Sequence, residues 1–273
     1  MRCSVEFVNN PYRSYYAGNT LYGCLNIALD REKYIKVSSL RITNPCKRKG
    51  QSSFPRGRYT VKAEQTFIDE KLLVVSNTRL PAGEHTFQFE SNLPADCPPS
   101  FKGKHGQIKY KAVILVPKML CDKKIPFEFT ILSYSPLPFF EANIPISIHI
   151  GPTKTVTFPK NVFRVGEHIL IDINIDETKE KKDRSIKFFL VQYIWYQTKE
   201  NCHSCRSQRK QKGNVIEFPV ITSDYNYKQS IRIPDNLPTT LEYIEVIKIR
   251  YLLKILINKK KFKFPIVLGD YYQ

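Results

Sequence analysis

Three stretches of this chain alternate apolar and polar residues with a period of two. In Ile108–Ile114, the side chains of Ile108, Tyr110, Ala112 and Ile114 share one face. In 246–257, Ile247, Ile249, Tyr251, Leu253, Ile255 and Ile257 face one side, and Lys248, Arg250 and Lys254 the other. Ile169–Ile175 repeats the pattern with Asp172 and Asn174 outward. Helix signals are poor: Ala is rare, and no long stretch repeats apolar residues at intervals of three and four. The 18 Pro and 11 Gly punctuate these segments at the spacing expected of β-sandwiches. The pattern therefore predicts an all-β protein. One antiparallel sandwich of 273 residues would be unusually large, so two domains are expected.

An internal echo points the same way. Tyr16-Ala17-Gly18-Asn19-Thr20-Leu21 resembles Arg164-Val165-Gly166-Glu167-His168-Ile169, each a Gly and a polar residue ahead of an alternating strand. Leu93-Pro94 precedes Ile108-Lys109-Tyr110-Lys111 as Leu237-Pro238 precedes Ile249-Arg250-Tyr251-Leu252. The halves run in parallel order, as in a duplicated sandwich. The boundary is expected within Leu137–Pro145, whose prolines stiffen a connection, with lobes at 1–142 and 143–273.

Charge changes the picture more than composition does. The net charge is +18. Residues 1–142 carry 21 Lys+Arg and 12 Asp+Glu, and residues 143–273 carry 22 and 13, so each half is +9. Such a balance predicts attraction to an acidic partner and argues against a single basic nucleic-acid tail. The runs Lys179–Lys182 and Lys259–Lys263 read as solvated hairpin tips, with a docking site for acidic partners as the alternative. No apolar run approaches the roughly 18 residues of a membrane span. The first ten residues lack the apolar core of a signal peptide, so the seven Cys read as thiols of a reducing compartment.

The search for chemistry finds little. His85, His105, His149, His168 and His203 are far apart, and no nucleophile elbow, phosphate-binding loop or zinc-protease motif is present. Cys202-His203-Ser204-Cys205 has the spacing of half a zinc site. Tetrahedral zinc needs two further ligands, so these thiols read as part of a polar hairpin loop over 202–214. Aromatic and basic residues adjoin at Phe101-Lys102, Lys109-Tyr110-Lys111, Tyr227-Lys228 and Arg250-Tyr251. On a strand such neighbours point to opposite faces, so these pairs do not make a stacking platform for nucleic acid. No catalytic or metal residue and no cofactor is assigned.

The most informative stretch is 80–116. Leu80-Pro81-Ala82-Gly83-Glu84-His85 sets a tight turn, and Thr86–Phe89 a short aromatic strand. Pro94, Pro98 and Pro99 hold an extended loop, and Gly103 and Gly106 are suited to positive-φ turns before the strand at Tyr110. This pattern closely resembles the amino-terminal lobe of the arrestin domain-containing (alpha-arrestin) family. Its motif residues are Leu80, Pro81, Gly83, Phe89, Leu93, Pro94, Gly106 and Tyr110 here. Gly18 and Gly23 resemble the family's opening strands, and Gly166, Tyr251, Pro265 and Gly269 its carboxy-terminal lobe.

The resemblance implies two antiparallel, immunoglobulin-like β-sandwich lobes joined by a short linker. It implies a non-catalytic cytoplasmic adaptor in endocytosis and protein transport, at the plasma membrane or endosomes. Its partners would be membrane-protein cargo tails, trafficking proteins and HECT-type ubiquitin ligases. The family recruits those ligases through Pro-Pro-x-Tyr motifs in a tail, whereas this sequence stops at Asp270-Tyr271-Tyr272-Gln273. Its one Pro-Pro pair continues as Ser100-Phe101. The expectation is a tail-less member or an incomplete gene product. Lys109, Lys111, Lys248, Arg250 and Lys254 are the outward basic candidates for acidic or phosphorylated peptides. The competing reading is a protein driven by net charge onto nucleic acid or anionic membranes. A retromer-type relative is less favoured because of Leu80–His85.

Overall fold

A computed structural model describes residues 1–8, 10–54, 57–116, 123–132, 144–150, 153–176, 184–197, 208–222, 226–257 and 259–269. These fall into two compact units, one up to Leu132 and one from Ile144 onward. Every regular element among them is a strand. The first lobe contains β1 (Arg2–Phe7), β2 (Ser14–Tyr16), β3 (Thr20–Leu29), β4 (Lys33–Phe54), β5 (Gly57–Leu80), β6 (Gly83–Asn92), β7 (Phe101–Lys102), β8 (Gly106–Ile108), β9 (Tyr110–Val116) and β10 (Lys123–Leu132). The second contains β11 (Ile146–Ile150), β12 (Lys154–Phe158), β13 (Val162–Phe163), β14 (His168–Ile175), β15 (Arg184–Gln197), β16 (Gln208–Thr222), β17 (Asn226–Arg232), β18 (Ile247–Ile257) and β19 (Lys260–Leu268).

Each lobe is a sandwich of two sheets. In the first, β1-β3-β6 faces a sheet ordered β2-β10-β9-β4, with β5 and the short β8-β7 pair joined to β4. In the second, β11-β12-β14-β17 faces β13-β19-β18-β15-β16. Aromatic rings fill the space between sheets. Phe7 on β1 meets Phe129 on β10 at 5.7 Å, and Phe158 on β12 meets Phe264 on β19 at 5.0 Å. The alternation read from the sequence decides which residues go inside. Tyr110, Ala112 and Ile114 are buried, as are Ile169, Ile171, Ile173 and Ile175, and every second residue of β18 from Ile247 to Ile257.

The two lobes share one wiring plan. β1, β3 and β6 correspond in order to β12, β14 and β17, and β2, β10, β9, β4 and β5 to β13, β19, β18, β15 and β16. Both plans include one parallel pair, β2 with β10 and β13 with β19, among otherwise antiparallel neighbours.

The same strap closes each lobe. In the first it is Leu93-Pro94-Ala95-Asp96-Cys97-Pro98-Pro99-Ser100, in the second Ile233-Pro234-Asp235-Asn236-Leu237-Pro238-Thr239-Thr240. The N–H of Leu93 donates to the Asn19 carbonyl at 3.0 Å, and that of Ile233 to the Glu167 carbonyl at 2.8 Å. The turns they grip are centred on Gly18 and Gly166, at φ +85° and +80°. At Gly166 a Cβ would also lie 2.3 Å from an Asp235 oxygen. The Tyr110 hydroxyl donates to the Pro98 carbonyl at 2.5 Å, and that of Tyr251 to the Pro238 carbonyl at 2.7 Å. Ser100 and Thr240 end the straps alike. Their hydroxyls accept from Ile131 and Leu268 N–H, while their own N–H groups donate back to the carbonyls of those residues.

Some expectations need correction. The strap aligns Leu93-Pro94 with Ile233-Pro234 instead of Leu237-Pro238, which matches Cys97-Pro98. Gly83 has positive φ, but Gly103 and Gly106 do not; Gly106 simply opens β8. Residues 208–214 were expected in a loop and instead begin β16. Lys261 and Lys263 lie within β19, not at a hairpin tip. Residues 137–143, Lys179–Lys182 and Cys202–Cys205 lie outside the described residues.

Two outcomes follow from the straps. Tyr251→Phe and Thr240→Val each strand buried polar groups and lower stability by about 1–3 kcal/mol in denaturant unfolding, whereas Tyr22→Phe on the exposed face stays within about 0.5 kcal/mol. Burial pushes the Cys97 thiol up to about 12, so at pH 8 it stays protonated as well as shielded. Mass spectrometry after iodoacetamide treatment then shows alkylation of half-buried Cys24 in the native protein and of Cys97 only after unfolding.

Candidate functional site

The outer face of the five-stranded sheet concentrates positive charge. Since the odd-numbered residues of β18 point into the core, Lys248, Arg250, Leu252, Lys254 and Leu256 point outward. Register places Phe189, Tyr193 and Trp195 of β15 opposite Lys254, Arg250 and Lys248. On the other side of β15, Tyr193 meets Lys212 and Trp195 meets Lys210 of β16. On β19, Lys263 lies opposite Lys254.

The aromatic side chains organise these cations. Tyr193 and Trp195 stack at 5.5 Å with 19° between ring planes. Lys210 lies 4.8 Å from the Tyr193 ring and 5.1 Å from the Trp195 ring, and Arg250 is 5.5 Å from Trp195. Lys254 sits 3.9 Å over Phe189, which it helps bury on an outward-facing position. Each such contact is worth about 0.5–2 kcal/mol and fixes where an ammonium group stands. Little acid offsets them. Arg250 pairs with Glu242 at 2.7 Å, and Glu217 is the carboxylate nearest in effect to Lys254. Among the described residues, Lys210, Lys212, Lys248, Lys254, Lys261 and Lys263 form no carboxylate ion pair. The Lys254 ammonium is held below the usual lysine range by burial, then by repulsion from Lys261, Lys212 and Lys263.

The corresponding face of the first lobe is different. Lys109 and Lys111 both reach Glu128 on β10, at 3.1 and 3.2 Å, and their hydrogen bonds hold its carboxyl below the usual range. Arg41 makes a two-pronged contact with Asp69 at 2.5 Å. Lys109 and Glu128 also line an open groove of about 360 Å³, together with Tyr12, Arg13, Lys102 and Phe129 among others. Arg13 also lies 5.9 Å over the Phe7 ring.

The structure thus divides the sequence-derived candidates. It brings Lys248, Arg250 and Lys254 onto one face, and Lys109 with Lys111 onto another where Glu128 partly neutralises them. The adjacent pairs considered for nucleic acid do split: Tyr110, Phe101 and Tyr251 are buried while Lys102 and Arg250 are exposed. Cross-strand neighbours build the aromatic–basic array instead. Phe189, Tyr193, Trp195, Lys210 and Lys212 were missed, while Lys261 and Lys263 figured only within the run read as a hairpin tip or a docking site for acidic partners. Their signal was shared parity in 189–195, Lys210-Gln211-Lys212 and Lys261-Phe262-Lys263, but pairing partners cannot be read from parity.

The remaining motif residues build turns and closures. Leu80 ends β5 and Gly83 begins β6 across Pro81-Ala82, where His85 hydrogen-bonds the Pro81 carbonyl at 2.9 Å. Gly23 pairs with Phe89, whose ring would lie 2.4 Å from any Cβ there. Pro94 accepts from Gly18 N–H at 3.3 Å. On β19, Pro265 pairs with Leu252, and the Gly269 N–H that follows donates to Phe163 at 3.0 Å. Among the described residues, no three His, Cys, Asp or Glu side chains gather as a metal site, and no helix is long and apolar enough to cross a membrane.

Comparison with known proteins agrees with this architecture. Residues 3–135 match the family described as Arrestin (or S-antigen), N-terminal domain, and residues 142–271 match its C-terminal domain. Human arrestin domain-containing protein 1 is 24% identical over 224 residues, covering 76% of this chain and 51% of its own length. Arrestin domain-containing protein 17 of Caenorhabditis elegans is 24% identical over 308 residues, covering 96% of this chain and 69% of that protein. The chain thus spans about half the length of the human relative. Squid arrestin superposes with a TM-score of 0.60 at 13% identity, over 99% of this chain and 95% of that structure, and shares the fold. With both lobes matched, this chain belongs to the arrestin family, on its arrestin domain-containing (alpha-arrestin) branch.

Proposed function

We propose that this chain is an adaptor that binds acidic or phosphorylated tails of membrane-protein cargo and links them to protein-transport machinery on the cytoplasmic side. The arrestin family supplies adaptor scaffolds in general. The observation that carries the specific reading is the first-lobe groove, where Arg13, Lys102 and Lys109 line one open channel beside Glu128. An extended tail fits such a channel, and charge-assisted bonds to its acidic groups reward the match. Glu128 holds Lys109 and Lys111 in the meantime, as a built-in carboxylate that an incoming phosphate displaces.

Ubiquitin-ligase recruitment belongs to this reading as a downstream step, but Pro98-Pro99 does not serve it. Both prolines are buried in the strap, with the Pro98 carbonyl bonded to Tyr110. A WW domain needs an exposed polyproline ridge.

Fluorescence anisotropy with a doubly phosphorylated acidic peptide tests the groove. Arg13→Gln with Lys102→Gln weakens binding at least about tenfold, while Glu128→Gln, which releases two lysines, strengthens it several-fold. Equal affinity for all three proteins removes the groove from the proposal.

A further inference from the structure

We propose that β11 is a self-association edge: two copies of this chain pair their β11 strands antiparallel about a two-fold axis, joining two four-stranded sheets into one continuous sheet. The inference goes beyond the adaptor reading and draws on it only for the consequence, two first-lobe grooves carried by one assembly.

β11 is the strand that the duplication does not explain. β12, β14 and β17 repeat β1, β3 and β6, and β11 lies outside them with no first-lobe counterpart. It pairs with β12 from Ile146 to Ile150 without a bulge, and no described strand takes its other edge. Sheet edges are ordinarily guarded by charge, proline, bulges or shortness. Among the described edge strands longer than three residues, β11 alone, reading Ile-Ser-Ile-His-Ile, carries no Lys, Arg, Asp or Glu. On its inner side Ile146 and Ile148 are only half-buried, over an apolar cleft of about 160 Å³ that Phe158, Phe163, Phe264 and Ile266 also line. A further strand would cover both.

The sequence selects a second copy as that strand. Its apolar and polar positions are symmetric about Ile148. Antiparallel pairing centred there sets Ile148 opposite Ile148, Ile146 opposite Ile150, and exposed Ser147 opposite exposed His149. Thr155 engages the His149 Nδ1 at 3.1 Å, which leaves Nε2 for the hydroxyl across the seam. With His149 neutral the paired residues carry no charge, so the +18 of each copy opposes pairing only at long range, where salt screens it. Five paired residues span about 17 Å. They bury less than the roughly 1,200 Å² of a standard complex, so the dimer is weak and forms where copies are concentrated. Two grooves in one dimer then engage paired tails as linked sites, each raising the effective concentration at the other.

Sedimentation velocity of the full chain from about 2 to about 200 µM tests the seam. The expected mass rises from that of one chain toward that of two, and added salt promotes the rise. Ser147→Lys guards the edge as other edge strands are guarded and weakens association at least about tenfold. Ser4→Lys, which adds the same charge at an exposed position of β1, leaves it unchanged. Mild oxidation with copper phenanthroline reads the register. A mixture of Ser147→Cys and His149→Cys proteins gives a disulfide between the two variants, identified by peptide mass spectrometry, because facing residues lie within disulfide reach. Either variant alone gives far less of a link to its own kind. A mass that stays at one chain up to about 200 µM overturns the proposal. So do association that Ser4→Lys weakens equally, association that salt dissolves, and cross-linking of each variant with itself as readily as in the mixture. Monomeric behaviour together with binding of a foreign alternating apolar peptide gives the edge to another strand and overturns it as well. The phosphopeptide assay reads the first-lobe groove with the chain dilute, so the adaptor reading stands or falls separately.

Discussion

Each lobe depends on satisfying a strap that cannot join a ladder. Proline supplies no N–H, so the segments at Leu93–Ser100 and Ile233–Thr240 run between the sheets without strand partners. Ala95, Asp96, Asp235 and Asn236 face solvent, but the shielded backbone groups on either side of them need specific partners. A glycine turn takes one end, a buried tyrosine hydroxyl takes the carbonyl in the middle, and a serine or threonine hydroxyl takes the closing strand. The two sheets of a sandwich are thereby tied at one end. Hydrophobic burial supplies most of the stabilisation, but it is non-directional and does not by itself set this geometry.

The duplication separates what the scaffold requires from what it leaves open. The strap repeats in both lobes down to the hydroxyl that ends it. The outer faces, which no strap constrains, have diverged. One carries Lys109, Lys111 and Arg41 with acids beside them, and the other carries lysines held over Phe189, Tyr193 and Trp195 with few acids nearby. Overall charge is the same in both halves, so net charge alone does not distinguish them. Placement does. A lobe whose cations are already paired attracts anions at short range only by exchange, while a lobe whose cations repel one another attracts them outright.

Much of the fold was legible because burial and strand period coincide. Alternation in 108–114, 169–175 and 246–257 named core residues of β8, β9, β14 and β18 correctly, and Leu80–His85 identified the turn between β5 and β6 and the family. The site was only partly legible. Lys248, Arg250 and Lys254 were visible as outward residues of one strand. Their companions were hidden, because Lys210 and Lys212 follow a polar, cysteine-containing run that reads as loop, and because sheet register is set by long-range pairing. The echo was also misplaced by four residues at Leu237-Pro238. Two Pro-bearing dipeptides in one strap look alike in sequence, and hydrogen-bond partners such as Asn19 and Glu167, or Tyr110 and Tyr251, tell them apart.

Lysine labelling of the free, folded chain tests the central claim most directly, since it reads the charge environment of each face without any ligand. Brief acetylation near neutral pH, quantified by peptide mass spectrometry, is expected to modify Lys212 and Lys263 faster than Lys109 and Lys111, whose ammonium groups Glu128 holds. The opposite order, with Lys109 and Lys111 reacting first and the second-lobe lysines protected, would contradict the account.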